Sequence, residues 1–141
     1  MKKHNDLFFK RVVLTSTSLP KPRFRYSPVI QAGPFVFVSG LVALDADSGT
    51  LVGGGVYAET KQILANMKRL VQEMEWSLEQ LVMVRVFCAD FAAFADVNRA
   101  WEEFFLDIAP PARTSVGVSA LPLGALVEME FQLLVDDIPS A

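Results

Sequence analysis

Residues 126–135 alternate well. Val127, Met129, Phe131, Leu133 and Val135 fall on one side of an extended chain, and Glu128, Glu130 and Gln132 fall on the other. Such a strand has one apolar face to bury, and a slip of a single residue would turn that whole face to water. The chain is therefore obliged to build a sheet with one covered side. Two stretches of helical period supply the cover. Thr60, Ile63, Leu64, Met67, Leu70, Val71 and Met74 recur on one helix face from Val56 onward, which predicts a helix of about five turns. Phe94, Val97, Trp101, Phe104 and Phe105 repeat the pattern in a second helix, ended by Pro110.

Further strands are predicted around Val12-Val13-Leu14, over Phe35-Val36-Phe37-Val38-Ser39-Gly40, along the apolar run 81–87 that only Arg85 interrupts, and over residues 114–119. Residues 16–28 read as a loop punctuated by Pro20, Pro22 and Pro28, and residues 45–49 read as a turn. Gly53-Gly54-Gly55 marks a flexible point but lacks the lysine and strand context of a phosphate loop. Ser77 stands as a helix cap with Gln80 at the capping-box position. The order strand, strand, helix, strand, helix, strand, strand describes an α+β layer with two helices on one face of a mixed sheet. The other sheet face must be solvated or covered, and it suits a subunit interface.

A length of 141 residues fits one domain over residues 1–141, and 52% hydrophobic against 21% charged residues supports a real core. The net charge of -3 disfavours a general nucleic-acid surface, although Lys2, Lys3, Lys10, Arg11, Lys21, Arg23 and Arg25 gather toward the N-terminus as a solvated arm. Cys88 is the only cysteine, so it has no intrachain partner and reads as a buried thiol. His4 is the only histidine, so no zinc pattern exists and no metal is expected. Leu7-Phe8-Phe9 is cut off by Lys10-Arg11, too short for a signal peptide, and no apolar run reaches the length of a membrane span. A soluble cytoplasmic protein is expected.

Arg113 follows Pro110-Pro111, whose fixed backbone makes the guanidinium a candidate fork for a substrate carboxylate. It is equally a candidate structural partner of Glu128 or Glu130. Those glutamates share a strand face. They read as a solvent-facing polar edge or, for a glutamate not engaged by the arginine, as a group that orients water. A glycosidase-like acid pair fits the spacing, but no sugar-binding aromatic pattern accompanies it. Asn98 lies beside the apolar stripe of the second helix, where it either braces a loop or fixes a site. Ser39-Gly40 ends an apolar strand and allows close backbone approach. With His4 remote, a Ser-His-Asp triad is not expected.

Tyr26-Ser27, Phe37-Val38-Ser39-Gly40, Phe94-Ala95-Asp96-Val97-Asn98, Pro111-Ala112-Arg113-Thr114-Ser115 and Leu121-Pro122-Leu123-Gly124-Ala125-Leu126-Val127-Glu128-Met129-Glu130, in this order, resemble the RidA/YjgF family of enamine/imine deaminases. The resemblance runs from about Tyr26 to Val135, leaving residues 1–25 as an N-terminal strand and loop extension. It implies a chorismate-mutase-like α+β fold and a homotrimer with sites in clefts between subunits. It implies Arg113 as the carboxylate-binding arginine and Glu128 as the glutamate that handles the attacking water. Tyr26, Ser39, Gly40, Asn98 and Ser115 are implied as substrate-binding positions. Three departures stand out. Ser115 replaces a common cysteine, Leu41 replaces the usual glutamine, and Phe24-Arg25 replaces a common Gly-Pro before the tyrosine.

The activity so implied is hydrolysis of short-lived enamines and imines, such as 2-aminoacrylate, to 2-oxo acids and ammonia, with no metal or organic cofactor. The alternatives are a relative on this fold acting on a different imine, which the Phe24-Arg25 loop motivates, and a non-catalytic trimer that binds 2-oxo acids. A ribonuclease activity, also attached to the family, is disfavoured by the acidic charge and the absence of paired histidines.

Overall fold

In the computed structural model, which describes residues 10–135, the alternating strand forms β6 (Val127–Leu134) in the interior of the sheet. It is flanked by β3 (Phe35–Val42) and β4 (Leu81–Cys88), both antiparallel to it. Beyond β3 lie β2 (Val29–Ala32) and then β1 (Arg11–Leu14), and beyond β4 lies β5 (Ala112–Gly117), parallel to β4. The six-stranded order is β1-β2-β3-β6-β4-β5, so β5 has a free edge. Helices α1 (Gly55–Glu73) and α2 (Phe94–Phe104) connect β3 to β4 and β4 to β5. This is the expected α+β layer on a mixed sheet. His4, Lys2, Lys3 and Leu7-Phe8-Phe9 lie outside the described residues.

One added strand corrects the expected order, and two elements have shifted bounds. Val29–Ala32 is a strand, so the sheet has six strands rather than five. It is only four residues long and follows Pro28 directly, and its identity comes from pairing on both sides with β1 and β3. Helix α2 ends at Phe104, several residues before Pro110, where Phe105 N–H caps the Trp101 carbonyl. The strand expected at 114–119 begins at Ala112 and ends at Gly117. The box at Ser77 forms as expected. Its hydroxyl accepts from Glu79 N–H at 3.2 Å, and Gln80 Oε1 accepts from Ser77 N–H at 2.9 Å.

The core lies between sheet and helices. Val127, Met129, Phe131 and Leu133 of β6 and Val84 and Val86 of β4 are fully buried against Ile63, Leu64, Met67 and Leu70 of α1 and Val97 of α2. Burying a side chain of this size stabilises by about 1.5–3 kcal/mol. Cys88 is buried in the same layer. Glu59, almost fully buried on α1, accepts from the N–H groups of Leu126 (2.9 Å) and Val127 (3.3 Å). That carboxylate clamps the start of β6 and so fixes the residue that follows, Glu128. No helix among the described residues covers the opposite face of the sheet. That face displays Phe35, Phe37, Val116 and Leu134, with a cross-strand ion pair at its centre, Arg85 Nη1 to Glu130 Oε1 at 3.1 Å. No helix among the described residues is long and apolar enough to cross a membrane.

Candidate active site

The residues singled out in the sequence gather at two places. The first is a cavity of about 780 Å³ at the end of the sheet where β3 meets β6. Its lining includes Tyr26, Ser39, Gly40 and Glu128. Here the β3–β6 register slips. Val38 faces Phe131 and Leu41 faces Met129, so Ser39 and Gly40 together oppose Glu130 in a β-bulge. A bulge bends the strand and re-aims its side chains. The freed Ser39 hydroxyl donates to the Ser27 carbonyl at 2.7 Å, and Ser39 N–H donates to the Pro28 carbonyl at 2.9 Å. Both bonds hold the loop that presents Tyr26.

Gly40 has a specific reason to lack a side chain. The Glu128 side chain lies across it, and a Cβ at Gly40 would collide with Glu128 Oε1 and stand 2.8 Å from Cδ. Glu128 makes no ion pair among the described residues. Burial, and then the neighbouring negative charge of Glu130, push its carboxyl above the ordinary range. Glu130 differs, because Arg85 neutralises it. The two glutamates share the open face as expected, but only Glu128 is left as a basic, unpaired carboxylate.

The second place is the edge strand β5 against α2. Val84 and Arg113 are register partners, so the arginine points to the helix side of the sheet. Its Nη2 donates to Asn98 Oδ1 at 2.8 Å. Its Cζ lies 5.0 Å from the centre of the Trp101 ring and 5.6 Å from that of Phe94. A planar guanidinium suits such stacking. Burial lowers its pKa from the ordinary value, against the opposing field of Glu102. Ser115, two residues on and on the same side, has a buried hydroxyl with no hydrogen-bond partner among the described residues.

One of the two readings left open for Arg113 is thereby corrected. Arg113 pairs with neither Glu128 nor Glu130. It projects from the helix side, whereas Glu128, the register partner of Phe87, projects from the open side. Asn98, whose role the sequence left open, accepts from the arginine and holds it. Within one chain, then, the arginine cluster does not line the cavity that contains Glu128. Sequence reasoning also passed over Leu123, which lines that cavity in the left-handed region (φ 62, ψ 15). A leucine there costs about 1–2 kcal/mol of backbone strain. The Leu-Pro-Leu-Gly run was visible, but nothing in it marks the conformation. No group of three or more His, Cys, Asp or Glu among the described residues could hold a metal ion.

A mixed sheet backed on one side by two helices, with polar groups presented at its β3–β6 end and its β5 edge, places the molecule among small α+β domains of one helical layer. Residues 16–134 match the family described as Endoribonuclease L-PSP, and the chain belongs to this family, the RidA/YjgF proteins. A RutC family protein of Pyrococcus abyssi is 38% identical over 121 residues, which cover 86% of this chain and 94% of the relative. The 2-iminobutanoate/2-iminopropanoate deaminase of Mus musculus is 36% identical over 120 residues, covering 85% and 88%. The crystal structure of YyfA, a protein of unknown function of the Rid family from Yersinia pestis, matches with a TM-score of 0.84 at 28% identity, over 89% of this chain and 100% of that one. The family thus includes imine deaminases at moderate identity to this chain.

Proposed function

We propose that this chain hydrolyses short-lived 2-imino acids and their enamines to 2-oxo acids and ammonia, in sites shared between the subunits of a homotrimer. One observation carries the reading. Among the described residues Arg113 is a partly buried cation held by Asn98 with no carboxylate partner, and Glu128 is an unpaired carboxylate of raised basicity, yet they stand on opposite faces of the sheet. A head-to-tail ring of chains is the arrangement that brings one subunit's β5 edge to the next subunit's cavity. The open face supports the same reading, because Phe35, Phe37, Val116 and Leu134 form an apolar surface of the kind that interfaces cover.

In this site Arg113 holds the substrate carboxylate through two parallel N–H···O bonds. Asn98 and the rings of Trp101 and Phe94 fix the plane of that fork. The buried Ser115 hydroxyl is a free donor beside it. The enamine takes a proton at carbon and becomes the iminium. Glu128 accepts a proton from water as the water oxygen bonds to the iminium carbon, and the C=N pair moves to nitrogen. Glu128 returns the proton to that nitrogen, ammonia leaves as the C–N bond breaks, and the remaining hydroxyl gives its proton to the Glu128 carboxylate, and thence to solvent, as it becomes the carbonyl of the 2-oxo acid. Its raised pKa suits both halves of this exchange. Because imines react with water unaided, positioning and electrostatics are sufficient sources of acceleration.

The test is release of ammonia and 2-oxo acid when 2-aminoacrylate is generated in situ, with wild type beside Arg113→Ala. Acceleration by wild type and its loss in the variant are expected. Equal release by both proteins would defeat the assignment.

A further inference from the structure

The cavity beside Glu128 is much larger than the smallest imino acid requires. In one chain, before the adjoining subunit's β5 edge is set against it, the cavity measures about 780 Å³, within the range of pockets that enclose drug-sized ligands, whereas 2-iminopropanoate carries only a methyl side chain. Much of its wall is apolar, with Leu19, Pro20, Leu41 and Pro122 among the lining residues. Two of its apolar side chains stand out because they are exposed. Phe24 is 80% exposed and Leu123 is 49% exposed, and both line the cavity from separate loops. Leu123 is also held at positive φ, a conformation in which glycine or asparagine would be unstrained. A half-exposed leucine in that state gains too little packing inside its own chain to account for it. Contact with something bound in the cavity would account for it.

Resting on the deaminase reading, we propose that the preferred substrates are 2-imino acids with bulky apolar side chains, gripped between Phe24 and Leu123. Glu128 and the bulge at Ser39-Gly40 occupy one part of the cavity wall, where the reacting carbon belongs. The carboxylate is taken by Arg113 of the adjoining subunit. The remaining, apolar part of the cavity is then left for the substrate side chain. An apolar wall rewards each buried methylene, and one methylene in such a pocket changes specificity by roughly tenfold or more. Phe24 and Leu123 are specificity-determining residues in this account, with no part in the proton transfers.

The experiment compares two imines generated in situ by D-amino-acid oxidase, from D-alanine and from D-leucine, with semicarbazide trapping as the competing reaction. The readout is kcat/KM for each imine with wild type, Phe24→Ala and Leu123→Gly, with the molecular mass of each protein measured in solution. Wild type is expected to favour the leucine-derived imine by about tenfold or more. Each variant is expected to lower that ratio by about tenfold, mainly through KM for the larger imine. Leu123→Gly also removes the left-handed strain, so it is expected to fold at least as well as wild type. A wild-type preference for the alanine-derived imine would overturn the inference while leaving the deaminase reading intact. So would an unchanged ratio in both variants, or a loss of oligomeric mass without a change in ratio, since the side chains would then serve packing between subunits. Acceleration of neither imine would overturn both readings together.

Discussion

The two polar clusters of this molecule are built by opposite means. At the β5 edge the cation is made stiff: Asn98 holds Arg113 by its amide oxygen, and Trp101 and Phe94 flank the guanidinium. At the β3–β6 bulge the anion is made uneasy: Glu128 has no cation partner among the described residues, lies over a glycine that gives it room, and is pushed toward its neutral form. Its neighbour Glu130 shows the ordinary alternative, a carboxylate neutralised across the strands by Arg85. A fold that pairs one glutamate and leaves the other bare two residues away has kept a reactive group beside a structural one.

The stiff cluster should break most completely. Arg113→Ala is expected to lower kcat/KM by roughly a thousandfold, and Arg113→Lys should not restore it, because an ammonium cannot reproduce the planar fork. Glu128→Gln comes next, with kcat down about a hundredfold or more and KM little changed. Its pH behaviour sharpens the contrast. A carboxyl whose folded pKa is raised binds its proton more tightly in the folded state, so stability falls as pH rises from the unfolded value toward the folded one. At neutral pH Glu128 therefore costs stability, and Glu128→Gln should raise Tm while it lowers turnover. The acidic limb of the wild-type kcat profile should lie above the ordinary carboxylate range and vanish in the variant.

Gly40→Ala probes the same corner through space rather than charge. The added methyl must displace the Glu128 carboxylate, so turnover should fall by about tenfold or more, with overpacking costing about 1–3 kcal/mol in denaturant unfolding. The smallest effect belongs to Glu73, far from the chemistry. It anchors the loop that presents Phe24 and Tyr26, accepting from Ser16 Oγ (2.7 Å), Thr17 N–H (2.7 Å) and Ser18 N–H (3.2 Å). Burial alone would raise this carboxyl, but the hydrogen bonds from Ser18, Thr17 and Ser16 outweigh it and hold the pKa down to about 2. Its contribution is therefore present above the ordinary carboxylate value and lost as pH falls toward 2. Glu73→Gln should cost about 1 kcal/mol at neutral pH, discounted for exposure, and the deficit should shrink on acidification.

How far the molecule was legible depended on which side of the sheet a residue served. The alternation of β6 and the stripes of α1 and α2 were readable because one face of each is buried, and burial writes a period into the chain. Val29–Ala32 was not readable: four residues carry too little period, and their strand character comes from neighbours on both sides. Tyr26, Ser39, Gly40, Asn98, Arg113, Ser115 and Glu128 were nameable from their motifs. That Arg113 and Glu128 face opposite ways was not, since it depends on the strand order β3-β6-β4-β5 and on register across three strands. Phe24 was marked only as a departure from the family pattern and Leu123 only as part of a motif, because the left-handed leucine and the cavity that both residues line appear in the structure alone.

The proposed division of the site between chains admits a direct measurement. Arg113→Ala and Glu128→Ala, each inactive alone, are co-expressed with different tags, and the doubly tagged assemblies are assayed for imine hydrolysis. If each site takes its arginine from one subunit and its glutamate from the next, every doubly tagged trimer holds one intact site, about a third of its sites, and activity returns. If both residues act within one chain, no mixed assembly contains a complete site, and the doubly tagged protein stays inactive.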